Sequence, residues 1–215
     1  MRNKDHVKDQ PTDVVTFDLL GGRLCLDFAN TVDPRVGSHL HELLKNYSDL
    51  VQWGQQVDIL TEDEAKDLLR GAARRPEEAV MTLERAIALR EVIYRIFSAI
   101  TRGTHPQSED LEALLSAYAE VMTHAQLTST PNGFTLDWIR REDGFDRMLW
   151  PVVHSAIELL TSQEVKRVKE CPGLGDCGWL FLDTSKNSSR HWCSMDECGS
   201  RAKMRRLYAR KRVGR

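Results

Sequence analysis

Four of the five cysteines in this 215-residue chain lie in one short stretch: Cys171-x5-Cys177, fifteen intervening residues, then Cys193-x4-Cys198. Two close pairs separated by a loop can deliver four thiolates to one tetrahedral structural zinc ion. In a reducing compartment such a cluster reads as a metal site before it reads as disulfides. The spacing within each pair is looser than the usual two to about four residues. Both second cysteines, however, are followed by glycine, Gly178 and Gly199. A knuckle turn aims backbone amides at the sulfurs and needs a residue that tolerates left-handed geometry, which glycine does without steric penalty. Four protein ligands leave no open position for water or substrate, so the expected role of the ion is structural. Trp179, Phe181, Leu182 and Trp192 are expected to form a mini-core around it. His191, alone beside four well-placed cysteines, reads as a surface or hydrogen-bonding residue.

The last cysteine runs into Ser200-Arg-Ala-Lys-Met-Arg-Arg-Leu-Tyr-Ala-Arg-Lys-Arg212, without one acidic residue. Met204, Leu207 and Tyr208 have helical spacing and are expected to dock on the zinc module. Arg201, Lys203, Arg205, Arg206, Arg210 and Lys211 surround that stripe. A solvated helix face normally mixes charge signs, and this one does not. Its cations suit phosphate contacts, whose strength comes mainly from counterion release. Such contacts position a protein without specifying a sequence. The net charge of −2 conceals the same asymmetry: from Glu164 onward there are thirteen Lys/Arg against six Asp/Glu, which leaves about nine net negative charges on the rest. An acidic body and a basic appendage imply two jobs, and the acidic body is ill suited to nucleic acid.

Holding this appendage falls to the preceding residues. Hydrophobic content of 41% and charged content of 29% suit a soluble chain of one medium domain and a small one. No apolar run approaches a membrane span, and the polar start MRNKDHVKDQ lacks a secretory core. A disordered first dozen residues and a cytoplasmic location are expected. In residues 14–32 the alternation of Leu24, Leu26 and Phe28 fits a strand, while Leu24, Phe28 and Val32 fit a helical stripe, and spacing does not decide. Ser48 is expected to cap a helix carrying Leu50, Val51 and Trp53. Thr61-Glu-Asp-Glu64 has the form of a capping box. Pro76 opens a long helix, and Ser108 opens another with Leu111, Leu114, Leu115, Tyr118 and Met122 on one face. Residues 125–138 read as a hairpin about Pro131-Asn132-Gly133, followed by a helix over 146–160. The expected class is mainly α with a small β-hairpin or sheet (α+β). A helical body over 12–162 precedes a separate four-cysteine zinc finger and basic helix over 163–215.

Asp27, Asn30, Thr31 and Arg35 form the one polar cluster of the body that suggests a site. They either line a ligand pocket, with Arg35 meeting an anion, or brace the start of the fold. Cys25 between two leucines reads as a small core residue. His39 and His41 read as solvated loop residues. The chain shows no phosphate-binding glycine loop, no His-Glu-x-x-His motif and no nucleophile beside a base, so no catalytic residue is assigned.

Two stretches resemble a known family. Cys171-x5-Cys177-Gly-Trp-Leu-Phe-Leu-Asp183 and Arg190-His-Trp-Cys193-Ser-Met-Asp-Glu-Cys198-Gly-Ser-Arg201-Ala-Lys203 resemble the CGNR-type zinc finger. Its Cys-Gly-Asn-Arg signature reads Cys198-Gly199-Ser200-Arg201 here, and serine retains a short hydrogen bond for the turn. Gly21-Gly22-Arg-Leu-Cys-Leu-Asp27-Phe-Ala-Asn30-Thr31 resembles the start of the ABATE domain that precedes this finger. Together the resemblance covers nearly the whole chain and implies a bacterial stress-induced transcriptional regulator. The resulting expectation is a DNA-binding regulator with one structural zinc ion. Duplex DNA is its partner, and its body senses a small-molecule effector or forms a homodimer. The competing readings are an RNA-binding protein, an enzyme built around Asp27 and Asn30 with a merely structural finger, and a finger that binds protein.

Overall fold

The computed structural model describes residues 16–37, 39–139, 144–173 and 176–213, of which 211–213 through their backbone alone. The polar first dozen residues and the side chains of Lys211 and Arg212 lie outside the described residues. In chain order the elements are α1 (Leu24–Ala29), β1 (Val32–Asp33), β2 (His41–Glu42), α2 (Tyr47–Gln56), α3 (Glu62–Arg74), α4 (Pro76–Thr101) and α5 (Ser108–Met122). They continue as β3 (Ala125–Thr130), β4 (Gly133–Trp138), α6 (Leu149–Thr161), β5 (Val168–Glu170), β6 (Leu180–Leu182) and α7 (Ser200–Val213). The fold is mostly helical, and the strands pair in sequence order as three antiparallel two-stranded sheets.

The ambiguous segment before Pro34 is helical. Asp27 accepts a hydrogen bond from the Gly21 N–H at 2.7 Å, which closes the turn before α1. Cys25, Leu26, Phe28 and Ala29 are all fully buried. A helix surrounded on so many sides satisfies either periodicity, which is why spacing alone left it open. α2 starts earlier than Ser48 suggests: Asn46 is its cap, and Asp49 completes a reciprocal capping box. The box at Thr61 and Glu64 and the Pro76 start of α4 form as the sequence indicates. α5 is rotated from its expected face. Leu114 and Val121 are buried, whereas Leu111, Leu115 and Met122 are exposed. Arg95 of α4 grips the Asp110 carboxylate through Nε and Nη2 at 2.5–3.1 Å, drawing that acid inward and fixing the rotation.

The core lies where α1, α2, α4 and α6 meet. Phe28 and Trp53 pack with centroids 4.9 Å apart, beside Ile93, Ile96, Phe97, Met148 and Val152. The cysteine-bearing segment is stitched onto this core through β6, whose side chains alternate between two faces. Leu180 and Leu182 enter the body core, while Trp179 and Phe181 face the cysteines. Leu182 therefore belongs to the body and not to the expected mini-core. Asn30 completes the joint by imitating a neighbouring strand: its Nδ2 donates to Leu180 O at 2.8 Å, and Leu180 N donates to its Oδ1 at 2.9 Å. Trp179 Nε1 donates to Val32 O (2.9 Å), Leu182 N to Gly21 O (2.8 Å) and Arg35 N to Cys177 O (2.6 Å).

Candidate metal centre and basic helix

The four sulfurs of Cys171, Cys177, Cys193 and Cys198 lie within 4.8 Å of one another, and all four residues are buried. Cys193 Sγ stands 3.6 Å from Cys177 Sγ and 3.7 Å from Cys198 Sγ. A metal–sulfur bond of about 2.3 Å in a tetrahedron implies sulfur–sulfur edges of about 3.8 Å, whereas a disulfide needs about 2.05 Å. The cluster suits one metal ion. Mutual hydrogen bonds split the thiols: those from Cys177 and Cys193 pull Cys171 down, and the bond to Cys171, with burial added, pushes Cys177 and Cys193 up. A bound cation reverses that opposition by deprotonating coordinated thiols outright.

Cys171 N donates to Trp179 O at 2.8 Å and Gly178 N donates to Cys171 O at 3.0 Å, closing the first knuckle. Gly178 sits at φ +72°, as the knuckle argument requires. Gly199 does not adopt left-handed backbone. It ends a π-helical turn, Met195–Gly199, where an added Cβ would stand 2.9 Å from Met195 Sδ. Met195 is exposed and its flexible end can swing aside, so neither backbone conformation nor close packing requires glycine there.

Two charged side chains brace the second knuckle, and the sequence motifs contained both without disclosing their task. Asp183 is fully buried and accepts from Lys169 Nζ (2.6 Å), Ser185 N (2.9 Å), Ser185 Oγ (2.6 Å) and Arg190 N (3.0 Å). Burial opposes its charge, yet these donors hold its carboxyl well below the usual range. Arg190 lies over the Phe181 ring at 4.5 Å and donates to Trp192 O (3.0 Å), Leu20 O (3.3 Å) and Cys193 O. The available signal was Asp183 itself: an acid directly after the apolar run Leu180-Phe181-Leu182 must be paired when buried.

α7 grows from this centre. Arg201 Nη2 lies 3.2 Å from Cys198 Sγ, so this guanidinium donates to a sulfur of the cluster. Ala202 is buried, and every side chain from Lys203 to Arg210 is exposed. Met204 and Leu207 are 45% exposed and Tyr208 60%. The expected docking of that stripe is partial: Met204 and Leu207 stand beside Trp192 and Met195 of the module yet keep close to half of their surface exposed. Lys203, Arg205, Arg206 and Arg210 project outward, while the Lys211 side chain lies outside the described residues. Donors to coordinating groups typically tune metal affinity by about 10- to 100-fold. Arg201→Ala is accordingly expected to weaken metal binding about tenfold in a chelator competition, and unchanged affinity would deny Arg201 that role.

The four polar residues of the body lie at or beside the joint. Burial pushes the Asp27 carboxyl up to about 6, partly opposed by the Gly21 N–H. Thr31 Oγ1 donates to Phe28 O at 2.9 Å and accepts from Arg90 at 3.3 Å. Arg35 Nε donates to Ala29 O (2.7 Å), Nη1 bonds both Glu91 oxygens at 2.9 Å, and the guanidinium covers Tyr94 at 4.0 Å. Its buried Nη2 has no partner among the described residues. Arg90, 2% exposed, forks onto Glu42 at 2.6 and 2.7 Å and also meets Glu91. Burial opposes the Glu91 charge, but Arg35 and Arg90 hold its carboxyl below the usual range. Cys25 is fully buried, and desolvation pushes its thiol up to about 12, consistent with a core residue. His39 and His41 are exposed.

No helix among the described residues is long and apolar enough to cross a membrane. No curated protein matches the chain. Residues 22–163 match the ABATE family model, described as "Putative stress-induced transcription regulator", and residues 167–211 match the CGNR zinc finger. The first match spans well over half of the chain, which therefore belongs to the ABATE family and carries a CGNR zinc finger as its C-terminal part.

Proposed function

We propose that the chain is a DNA-binding transcription regulator whose residues 163–215 contact duplex DNA. Residues 12–162 serve as sensor, dimerisation unit, or both. Cys171, Cys177, Cys193 and Cys198 hold one structural zinc ion, which supplies the cross-link that a segment with so little apolar core needs in order to fold. Lys203, Arg205, Arg206, Arg210 and Lys211 meet DNA, and Arg201 divides its charge between the DNA and Cys198. The joint containing Asp27, Asn30, Thr31 and Arg35 transmits the state of the body to the finger, and an effector bound there would act on the metal centre. The chain works in the cytoplasm, where thiols stay reduced, and does no catalysis.

The observation that carries this reading is α7: fourteen residues with no acid, rooted at a buried four-cysteine cluster and exposed from Lys203 to Arg210. The test is binding of the zinc-loaded protein to duplex DNA across a salt series, with a chain truncated after Gly199 as control. Five phosphate contacts predict a slope of log K against log salt of about −4 to −5, disappearing on truncation. A slope near zero, or no binding at low salt, would remove the DNA-binding assignment.

A further inference from the structure

Met204, Leu207 and Tyr208 fall on one line of α7 at the helical period, on the side opposite the buried Ala202. They are 45%, 45% and 60% exposed, so the chain itself, with Trp192 and Met195 at one border and Asp33 and Glu197 at the other, covers only part of this apolar spine. Phosphate binding needs cations and gives no use to such a spine. The same period places Arg205 on one flank and Lys203 and Arg210 on the other, all exposed, and turns Arg206 towards the Ala202 side. A helix that is basic on both sides of an apolar ridge matches a groove with phosphates on both sides of a floor that carries apolar methyl groups.

We propose that α7 lies in the major groove of B-form DNA with Met204, Leu207 and Tyr208 against the base edges, where they read thymine methyl groups. The flanking cations then hold the phosphates of the two strands. This rests on the DNA-binding reading above and adds to it a groove, a helix face and a base. A helix with its side chains is about 10–12 Å across. The major groove is about 12 Å wide and displays the thymine C5-methyl, whereas the minor groove is only about 6 Å wide. The deep, narrow major groove of A-form RNA does not admit side chains to the bases. Lys203 to Arg210 extend about 12 Å along the helix, enough for about three to four base-pair steps of 3.4 Å each. α7 contains no Asn, Gln, Asp or Glu. The usual partners of adenine and cytosine edges are therefore missing from it, which leaves methyl contact as the spine's means of discrimination.

The test uses the zinc-loaded full chain and three duplexes of one thymine-rich sequence: ordinary DNA, DNA with deoxyuridine at every thymine, and RNA. Loss of one buried methyl corresponds to about a fourfold change in affinity, so losing two contacts is expected to weaken binding by roughly fifteenfold. Met204→Ala and Leu207→Ala, both at exposed sites, are expected to shrink the difference between thymine and uracil DNA while the salt slope and zinc content stay the same. Equal affinity for the two DNAs with a steep salt slope would overturn the groove assignment and leave phosphate binding intact. Tighter binding to the RNA duplex would overturn it as well. Failure to bind any duplex at low salt would remove the DNA-binding reading itself.

Discussion

Cys193→Ser is expected to remove the metal, unfold the finger beyond β6 and abolish DNA binding in one step. Cys193 Sγ stands 3.6 Å from Cys177 and 3.7 Å from Cys198, so losing its sulfur takes away one of the four thiolates that a tetrahedral site requires. Structural zinc contributes on the order of 10–16 kcal/mol of apparent binding free energy to small fingers. Apart from the cysteines, Trp179 and Phe181 are the buried hydrophobic residues of this cluster, with Leu20 and Trp192 partly buried against them. That apolar area cannot replace such a contribution. Leu180 and Leu182 are anchored in the body core, so β6 should stay in place while residues 183–213 lose order. Metal analysis, amide hydrogen exchange and DNA titration would follow the three consequences together. A serine variant that retains stoichiometric zinc and full DNA affinity would refute the assignment of the ligands.

Asp183→Ala is expected to cost about 3 kcal/mol, at the lower end for removing one partner of a buried ion pair. The lower end applies because Lys169 keeps its bonds to Ser188 O at 2.6 Å and Arg190 O at 2.9 Å. The turn loses an acceptor of four hydrogen bonds, so zinc should also leave the variant faster under a chelator. pH separates this residue from Asp27. The depressed Asp183 carboxyl contributes stability that is complete above the ordinary carboxylate range, near pH 4, and is lost as pH falls through its lower folded value. Asp27, raised to about 6 in the folded chain, has the opposite sign: its charge costs stability above pH 6, and that cost is relieved as pH falls from about 6 towards 4. Asp27→Asn keeps an acceptor for the Gly21 N–H and should flatten the melting temperature between pH 4 and 6. An unchanged profile there would show that Asp27 does not titrate in this window.

What the sequence disclosed was local. The Thr61–Glu64 box, the Pro76 helix start, the hairpin about Gly133 and the four cysteines each depend on residues close in the chain, and each stands where the motifs place it. Asn46 and Ser48 are both good caps, and the choice between them follows from Asp49 completing the box with Asn46. The rotation of α5 depends on Arg95 reaching Asp110 from another helix, which no periodicity of α5 contains. Met204, Leu207 and Tyr208 formed a visible stripe, but amphipathic spacing does not say whether the covering surface belongs to the same chain. The strand-like role of Asn30 was equally hidden, because its partner Leu180 lies 150 residues away.

That separation governs how the molecule comes into being. Asn30 and Gly21 leave a ribosome well before their partners Leu180 and Leu182. Throughout synthesis α1 must wait with one side uncovered, and the body packs fully only after β6 emerges. Contacts this distant in sequence slow folding, since the loop between them must close before they return any free energy. Cys193 and Cys198 emerge later still, so a metal ion held by all four cysteines could be captured only after β6 has been made.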